Sequence, residues 1–166
     1  ACRSRPPPKP RSNSGRAIMR TREILSTVGV GDFYCGIHTK EVIELTKGLE
    51  VTPVPLAPAS ILGLLNLRGK IVTAIDMRAR LSCDPRKISA DSIGIFYKQS
   101  DNLFSFVVDS VNEILELDQE NFEPPPSNLT SSALDFVAGV YKMPGRLLLV
   151  LNPSKLISGI TLDHSI

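Results

Sequence analysis

Short runs in which apolar and polar residues alternate, each bounded by Gly, Pro, Asp or Asn, recur from Ile24 towards the C-terminus. A period of two is the spacing of β-strands, whose successive side chains point to opposite faces. Ile24 to Val30 reads as a strand, Gly31-Asp32 as a turn and Phe33 to Ile37 as a second short strand. Between Lys40 and Thr46, Val42, Glu44 and Thr46 share one face, and Glu41, Ile43 and Leu45 the other. β-Branching at Val42 and Ile43 favours a strand with an irregular start over a helix. With Ile43 and Leu45 taken as inward, Val42 and Glu44 are expected outward together. Such a face is either an ordinary edge-strand surface or a small protein-binding site.

The stretch from Ala59 to Arg78 is the centre of the pattern. A Pro-punctuated segment, Thr52-Pro-Val-Pro-Leu-Ala-Pro58, leads into a strand, a tight Arg68-Gly69-Lys70 corner and a return strand from Ile71 to Asp76. Gly69 supplies the freedom to take φ > 0 at the bend. Leu65 and Leu67 fall on one face, and Leu64, Asn66 and Arg68 on the other. Burying the two leucines would hold Asn66 and Arg68 out towards solvent or a partner. Taken alone, the stretch also describes a hairpin with an incidental surface arginine.

Asp76 is placed to cap a short helix through Leu81. Ser92 to Lys98 and Leu103 to Asp109 make a hairpin over the polar loop Gln99 to Asn102. Val111 to Leu117 is a strand in which Val111, Ile114 and Leu117 break strict alternation, so a bend or bulge is expected. Pro124 to Ser132 reads as loop. Phe136 to Lys142 and Arg146 to Asn152 form a last hairpin, whose run Leu147 to Leu151 is apolar on both faces and hence buried. Pro153 opens a short terminal helix to about Ser158. Nine or ten short strands with few, short helices indicate a mostly β fold, a barrel or a sandwich. Two small barrels packed together fit 166 residues better than one large one.

Composition adds bounds. The chain is 42% apolar and 22% charged and lacks Trp, so Val, Ile and Leu must fill the core. No apolar run approaches the ~20 residues that cross a bilayer, and no apolar segment behind the basic N-terminus resembles a signal peptide. Cys2, Cys35 and Cys83 are odd in number, lack metal spacing and point to a reducing cytoplasm. The net charge of +2 conceals an asymmetry: residues 1–22 hold seven of the nineteen Lys and Arg and no acid. The other twelve bases face all seventeen acids, a net of −5 for the rest of the chain. The Pro-rich tail, residues 1–22, has little to bury and is expected to be disordered. It is either a solvated extension or a strand of charge that brushes anionic lipid or nucleic acid. An acidic body argues against nucleic acid as the main ligand.

Catalytic chemistry is nearly absent from the pattern. His38 follows Cys35 by three residues, but a strand and turn give them no reason to pair, and no third orienting group is evident. Gly29 and Gly31 flank a hairpin turn without the helix a phosphate loop needs. Asp76 and Asp109 are single carboxylates in cap or turn positions. No metal spacing and no cofactor motif appears.

The segment Asn66-Leu-Arg-Gly-Lys-Ile-Val-Thr-Ala-Ile-Asp-Met-Arg78 resembles the signature of the CheW family of chemotaxis coupling proteins. Cys35-Gly-Ile-His-Thr-Lys-Glu-Val-Ile-Glu-Leu45, Thr52-Pro-Val-Pro55, Ile61-Leu-Gly-Leu-Leu65, Val107-Val-Asp-Ser-Val111 and Gly145-Arg-Leu-Leu-Leu-Val-Leu151 agree in order and spacing. The resemblance covers residues 23–158, leaving a basic tail at 1–22 and a short end at 159–166. It implies two SH3-like five-stranded β-barrels packed on a common core. It also implies a non-enzymatic cytoplasmic adaptor without cofactor, recruited to receptor arrays at the inner face of the membrane. The implied partners are the regulatory domain of a CheA-type histidine kinase and the cytoplasmic tip of methyl-accepting chemoreceptors; nucleic acid is not among them. Val42, Glu44, Gly63 and Arg68 match positions associated with partner contact, and Asn66 shares the outward face with Arg68. The implied mechanism lays a helical receptor hairpin into the groove between the barrels, with Val42 as an anchor and Arg68 contacting a carboxylate or carbonyl. Departures are Ala74 where the family often has Pro, and His38-Thr39 in place of an acidic-apolar pair. Still open are a coupling module of another chemosensory pathway and a basic-tailed barrel that binds nucleic acid.

Overall fold

The structure, a computed structural model, describes residues 21–85, 87–129 and 131–160. The disorder expected of the N-terminal tail and the fraying expected of the last residues concern positions outside these. Strands β1 (Arg22–Val30) and β2 (Phe33–His38) form a hairpin, and a 3₁₀ turn (Thr39–Glu41) passes to β3 (Val42–Lys47). β4 (Ile61–Leu67), β5 (Lys70–Asp76), helix α1 (Met77–Arg80), β6 (Ile93–Gln99) and β7 (Asn102–Val108) follow. β8 (Ser110–Asp118), a 3₁₀ turn (Gln119–Asn121), helix α2 (Ser131–Leu134), β9 (Val137–Met143), β10 (Arg146–Leu151) and helix α3 (Pro153–Ile157) complete the chain.

The ten strands make two five-stranded sheets of the same design, the two SH3-like barrels of a mostly β fold. One runs β8-β1-β2-β10-β9 and the other β3-β6-β7-β5-β4. Each has a central hairpin, β1–β2 or β6–β7, an antiparallel strand on one side and a parallel strand on the other. Each is closed by a bridge from the connector behind one edge strand to the opposite edge: Glu123 with Val140 in the first barrel, Thr52 with Leu64 in the second. The chain enters the second barrel through the 3₁₀ turn after β2 and leaves it through a single residue, Asp109.

Every strand with two apolar faces serves two cores. Leu148 and Val150 of β10 point into the first barrel with Leu25, Tyr34 and Tyr141. Leu149 and Leu151 point the other way, into a shared core with Val28, Ile37, Ile75, Ile95 and Phe106 drawn from both sheets. The second barrel has its own interior of Leu65, Val72, Ala74, Phe96 and Val107. At about 1.5–3 kcal/mol for each fully buried aliphatic side chain, the shared core is the main force holding the barrels together.

Polar groups fix what the apolar ones leave free. Asp76 caps α1, its carboxylate accepting from the Arg78 and Ala79 amides, and Asn152 caps α3 with Pro153 behind it. β8 carries the expected bulge, with Val28 pairing Val111 and Ser26 pairing Ile114. The β6–β7 connection differs from expectation: Gln99 pairs with Asn102, so the turn is Ser100-Asp101 alone, with Ser100 at φ +54°. Polar residues continue strand pairing when a two-residue turn lets both backbones reach.

Asp109 holds the barrel junction. The Arg78 guanidinium donates to both carboxylate oxygens, from Nε at 2.9 Å to Oδ1 and from Nη2 at 2.7 Å to Oδ2. The Gly31 amide, in the turn of the first barrel, donates to Oδ2 at 2.7 Å. The Asp109 amide donates to the Gly29 carbonyl at 3.0 Å. Elements of both barrels thus converge on one residue.

Candidate functional site

The corner after β4 is built as its sequence demands. Leu67 pairs with Lys70, leaving Arg68 at φ +52° and Gly69 at φ +81°. Positive φ at both central residues is what a type I′ turn requires. Asn66 Oδ1 accepts from the Gly69 amide at 2.9 Å, so this exposed asparagine spends its acceptor on the corner. Leu65 is buried and Leu67 packs against the second barrel's interior, leaving Asn66 and Arg68 on the outer side.

Arg68 Nη2 lies 3.1 Å from Glu44 Oε2, with the arginine side chain 78% exposed and the glutamate side chain 29%. β3 and β4 are opposite edges of their sheet, so the ion pair lies across the seam where the sheet curls closed. Sequence reading brought these two residues to the same surface by resemblance; the structure pairs them.

The facing of β3 is the reverse of the expectation. Ile43 is 53% and Leu45 46% exposed, whereas Val42, Glu44 and Thr46 are half-buried. The phase is set at the start of the strand, where Val42 packs against the shared core. A bulge follows: Val42 pairs with Tyr97 and Glu44 with Phe96, so Ile43 is the extra residue. Val42 therefore supports the strand from beneath, and Ile43 and Leu45 face outward. Periodicity alone could not choose between two faces that each carry apolar residues.

Gly63 is also buried, at φ +149°, and a Cβ there would run into the Thr52 carbonyl. That carbonyl accepts from the Leu64 amide, and the Thr52 amide donates to the Leu64 carbonyl, both at 2.8 Å. The glycine thus permits closure of the barrel. Beside the corner, Ile71 is 69% exposed. An apolar groove of about 550 Å³, lined by Thr46, Leu49, Leu64, Asn66, Ile71 and Phe96 among others, runs next to it.

The first barrel has its own apolar surface, which sequence reading missed. Ile24 and Ile114 are 51% and 64% exposed on the paired strands β1 and β8. Ile114 had broken the alternation of its strand, and that was the available signal. Elsewhere, Cys35 is fully buried and burial pushes its thiol up to about 12, far from the range of a nucleophile. Among the described residues no group of three or more His, Cys, Asp or Glu is placed to hold a metal ion. No helix among them is long and apolar enough to cross a membrane.

Two β-barrels sharing a core, each with exposed aliphatic residues, define a protein-binding module. The chain belongs to the CheW-like domain family, which matches residues 25–161. It is 28% identical over 137 residues to the chemotaxis protein CheW of Rhizobium meliloti (strain 1021), covering 82% of this chain and 84% of that protein. Against the chemotaxis protein CheW of Helicobacter pylori it is 26% identical over 148 residues, covering 88% and 89%. Protein FrzA of Myxococcus xanthus is 25% identical over 130 residues, covering 77% and 81%. Among solved structures, the scaffolding protein TtCheW from Thermoanaerobacter tengcongensis is similar with a TM-score of 0.72 at 28% identity, covering 80% of this chain and 90% of that one.

Proposed function

We propose that this protein is a non-enzymatic adaptor that couples methyl-accepting chemoreceptors to a CheA-type histidine kinase in chemotaxis signalling. It works in the cytoplasm, meeting the membrane only through the receptors. Its family and its chemotaxis and scaffolding relatives support that reading. The observation that carries the site is the ion pair between the exposed Arg68 and the half-buried Glu44, on a barrel that also exposes Ile43, Leu45 and Ile71. Aliphatic residues ringed by a charged pair have the composition of an interface centre with its polar rim.

The kinase regulatory domain docks on this face of the second barrel. Ile43, Leu45 and Ile71 bury against it, and Arg68 exchanges Glu44 for, or shares it with, an acceptor on the partner. Val42 and Gly63 act from beneath the surface, fixing β3 and the barrel seam, and the exposed Asn66 fixes the corner. The receptor tip, a helical hairpin, takes a second surface, with apolar side chains laid between the barrels. An adaptor must hold both partners at once, and exposed aliphatic pairs on both sheets provide for that. The likeness to FrzA supports a second reading, the same coupling role in another chemosensory pathway.

Titrating the protein with a CheA regulatory domain tests the assignment. Ile71→Lys places a charge in the apolar centre and should weaken binding at least about tenfold, about 1.4 kcal/mol, without unfolding the protein. Undiminished binding by the folded variant would move the kinase site elsewhere.

A further inference from the structure

From Gln99 to Tyr141 the chain contains eight Asp or Glu and no Lys, Arg or His. Glu116 and Asp118 of β8 both meet Arg22 on one side of the first barrel, and the exposed Glu120 of the following 3₁₀ turn continues this acidic ridge. β8 is an edge strand: it pairs with β1 and with no other strand of its sheet. Next to the ridge lie Ile24 and Ile114, so the surface is apolar as well as acidic.

The basic N-terminal segment reaches the molecule at the end of this ridge. The Gln119 amide donates to the Thr21 carbonyl at 3.0 Å. Arg22 contacts Glu116 and Asp118, each at 3.3 Å. Arg22 is the last of seven bases in residues 1–22, and the one whose partners are seen. Behind it, Arg16-Ala-Ile-Met-Arg20 complements that surface, with aliphatic residues between arginines. Twenty residues span up to roughly 66 Å when extended, more than the roughly 30 Å of a nine-residue strand.

We propose that the β1–β8 face of the first barrel is the docking surface for this chain's own N-terminal basic segment. The bases of residues 3–20 match the carboxylates of β8 in charge, and Ile18 and Met19 match the exposed Ile24 and Ile114 in apolar character. Tethering supplies the affinity that such exposed pairs lack singly, because the segment is held at high effective concentration beside its site. The segment then competes with any partner that uses the same apolar face, and salt or an acidic competitor opens it.

The test uses the full chain and needs no partner, so its outcome is independent of the adaptor reading. A nitroxide is placed on Cys2 in a Cys83→Ser background, where Cys35 is too buried to react. In about 0.1 M salt, where charges act over about 10 Å, the amide signals of Ile114, Glu116 and Glu120 should broaden selectively. In about 1 M salt, where that range is about 3 Å, they should recover. Glu116→Lys with Glu120→Lys should abolish the broadening while leaving the remaining amide spectrum in place. Uniform or absent broadening at low salt, or broadening that survives the charge reversal, would overturn the proposal. So would broadening seen only when labelled and isotope-enriched copies are mixed, which would make the contact intermolecular.

Discussion

Two arginine–carboxylate pairs, ten residues apart at their arginines, do opposite work in this molecule. Arg78 and Asp109 are each only about one-fifth exposed (19% and 21%) and join the two barrels through two guanidinium nitrogens, with the Gly31 amide as a third donor. Arg68 and Glu44 meet through one short contact, and the arginine is 78% exposed. The first pair has lost most of its water and repays that only while all its hydrogen bonds are made. The second retains its water, contributes little to folding and stays open to exchange with a partner. The same chemistry joins the barrels in one place and stays at the surface in the other, and burial decides which.

The largest expected effect breaks the buried member. Asp109→Ala leaves Arg78 Nε and Nη2 and the Gly31 amide without their acceptor, with only Nη1 still held by the Asp84 carbonyl, and should cost about 3–5 kcal/mol, read as a lower urea midpoint. Gly63→Ala comes next: the added methyl meets backbone at the Thr52 bridge and forces a positive φ on alanine. About 1–3 kcal/mol is expected, and kinase-domain binding should fall only as far as folding does. Arg68→Ala should shift stability by at most about 1 kcal/mol, its effect appearing in partner binding. A comparable loss of stability from Arg68→Ala and Asp109→Ala would erase the distinction.

The smallest effect sharpens the electrostatics around Arg78. Burial raises the Asp76 carboxyl above its ordinary value, against the lowering effect of the amides it caps and of Arg78. A carboxyl whose folded pKa is raised favours the folded state most below its unfolded pKa, and that contribution is lost as pH rises through the folded value. Asp76→Asn keeps an N-cap acceptor and should flatten the stability profile just above the ordinary Asp range. A profile that matches the parent protein through that window would assign the titration to another group.

Much of the fold was legible because its signals are local. Gly69, Pro153, Asp76 and the alternation of Leu64 to Arg68 each act within a few residues, and each element appeared where they placed it. The double-faced run Leu147 to Leu151 announced its burial through composition alone. What stayed hidden depends on distant partners. Arg78 and Asp109 are 31 residues apart, and nothing local marks them as a pair. The outward face of β3 depended on Val42 meeting the shared core, so a correct strand came with its faces exchanged. The turn at Gly69 and the outward facing of Asn66 and Arg68 were readable, whereas the pairing of Arg68 with Glu44 was not, and Ile71, Ile24 and Ile114 became surface residues only once the sheets had closed.

On the adaptor reading, Arg68 belongs to an interface and not to the fold. Calorimetric titration of the protein and of Arg68→Ala with a CheA regulatory domain, alongside their thermal midpoints, tests it most directly. Binding weakened by about 1–3 kcal/mol with a nearly unchanged midpoint is the predicted result. Unaltered binding together with a clear fall in midpoint would contradict it and make Arg68 a structural residue.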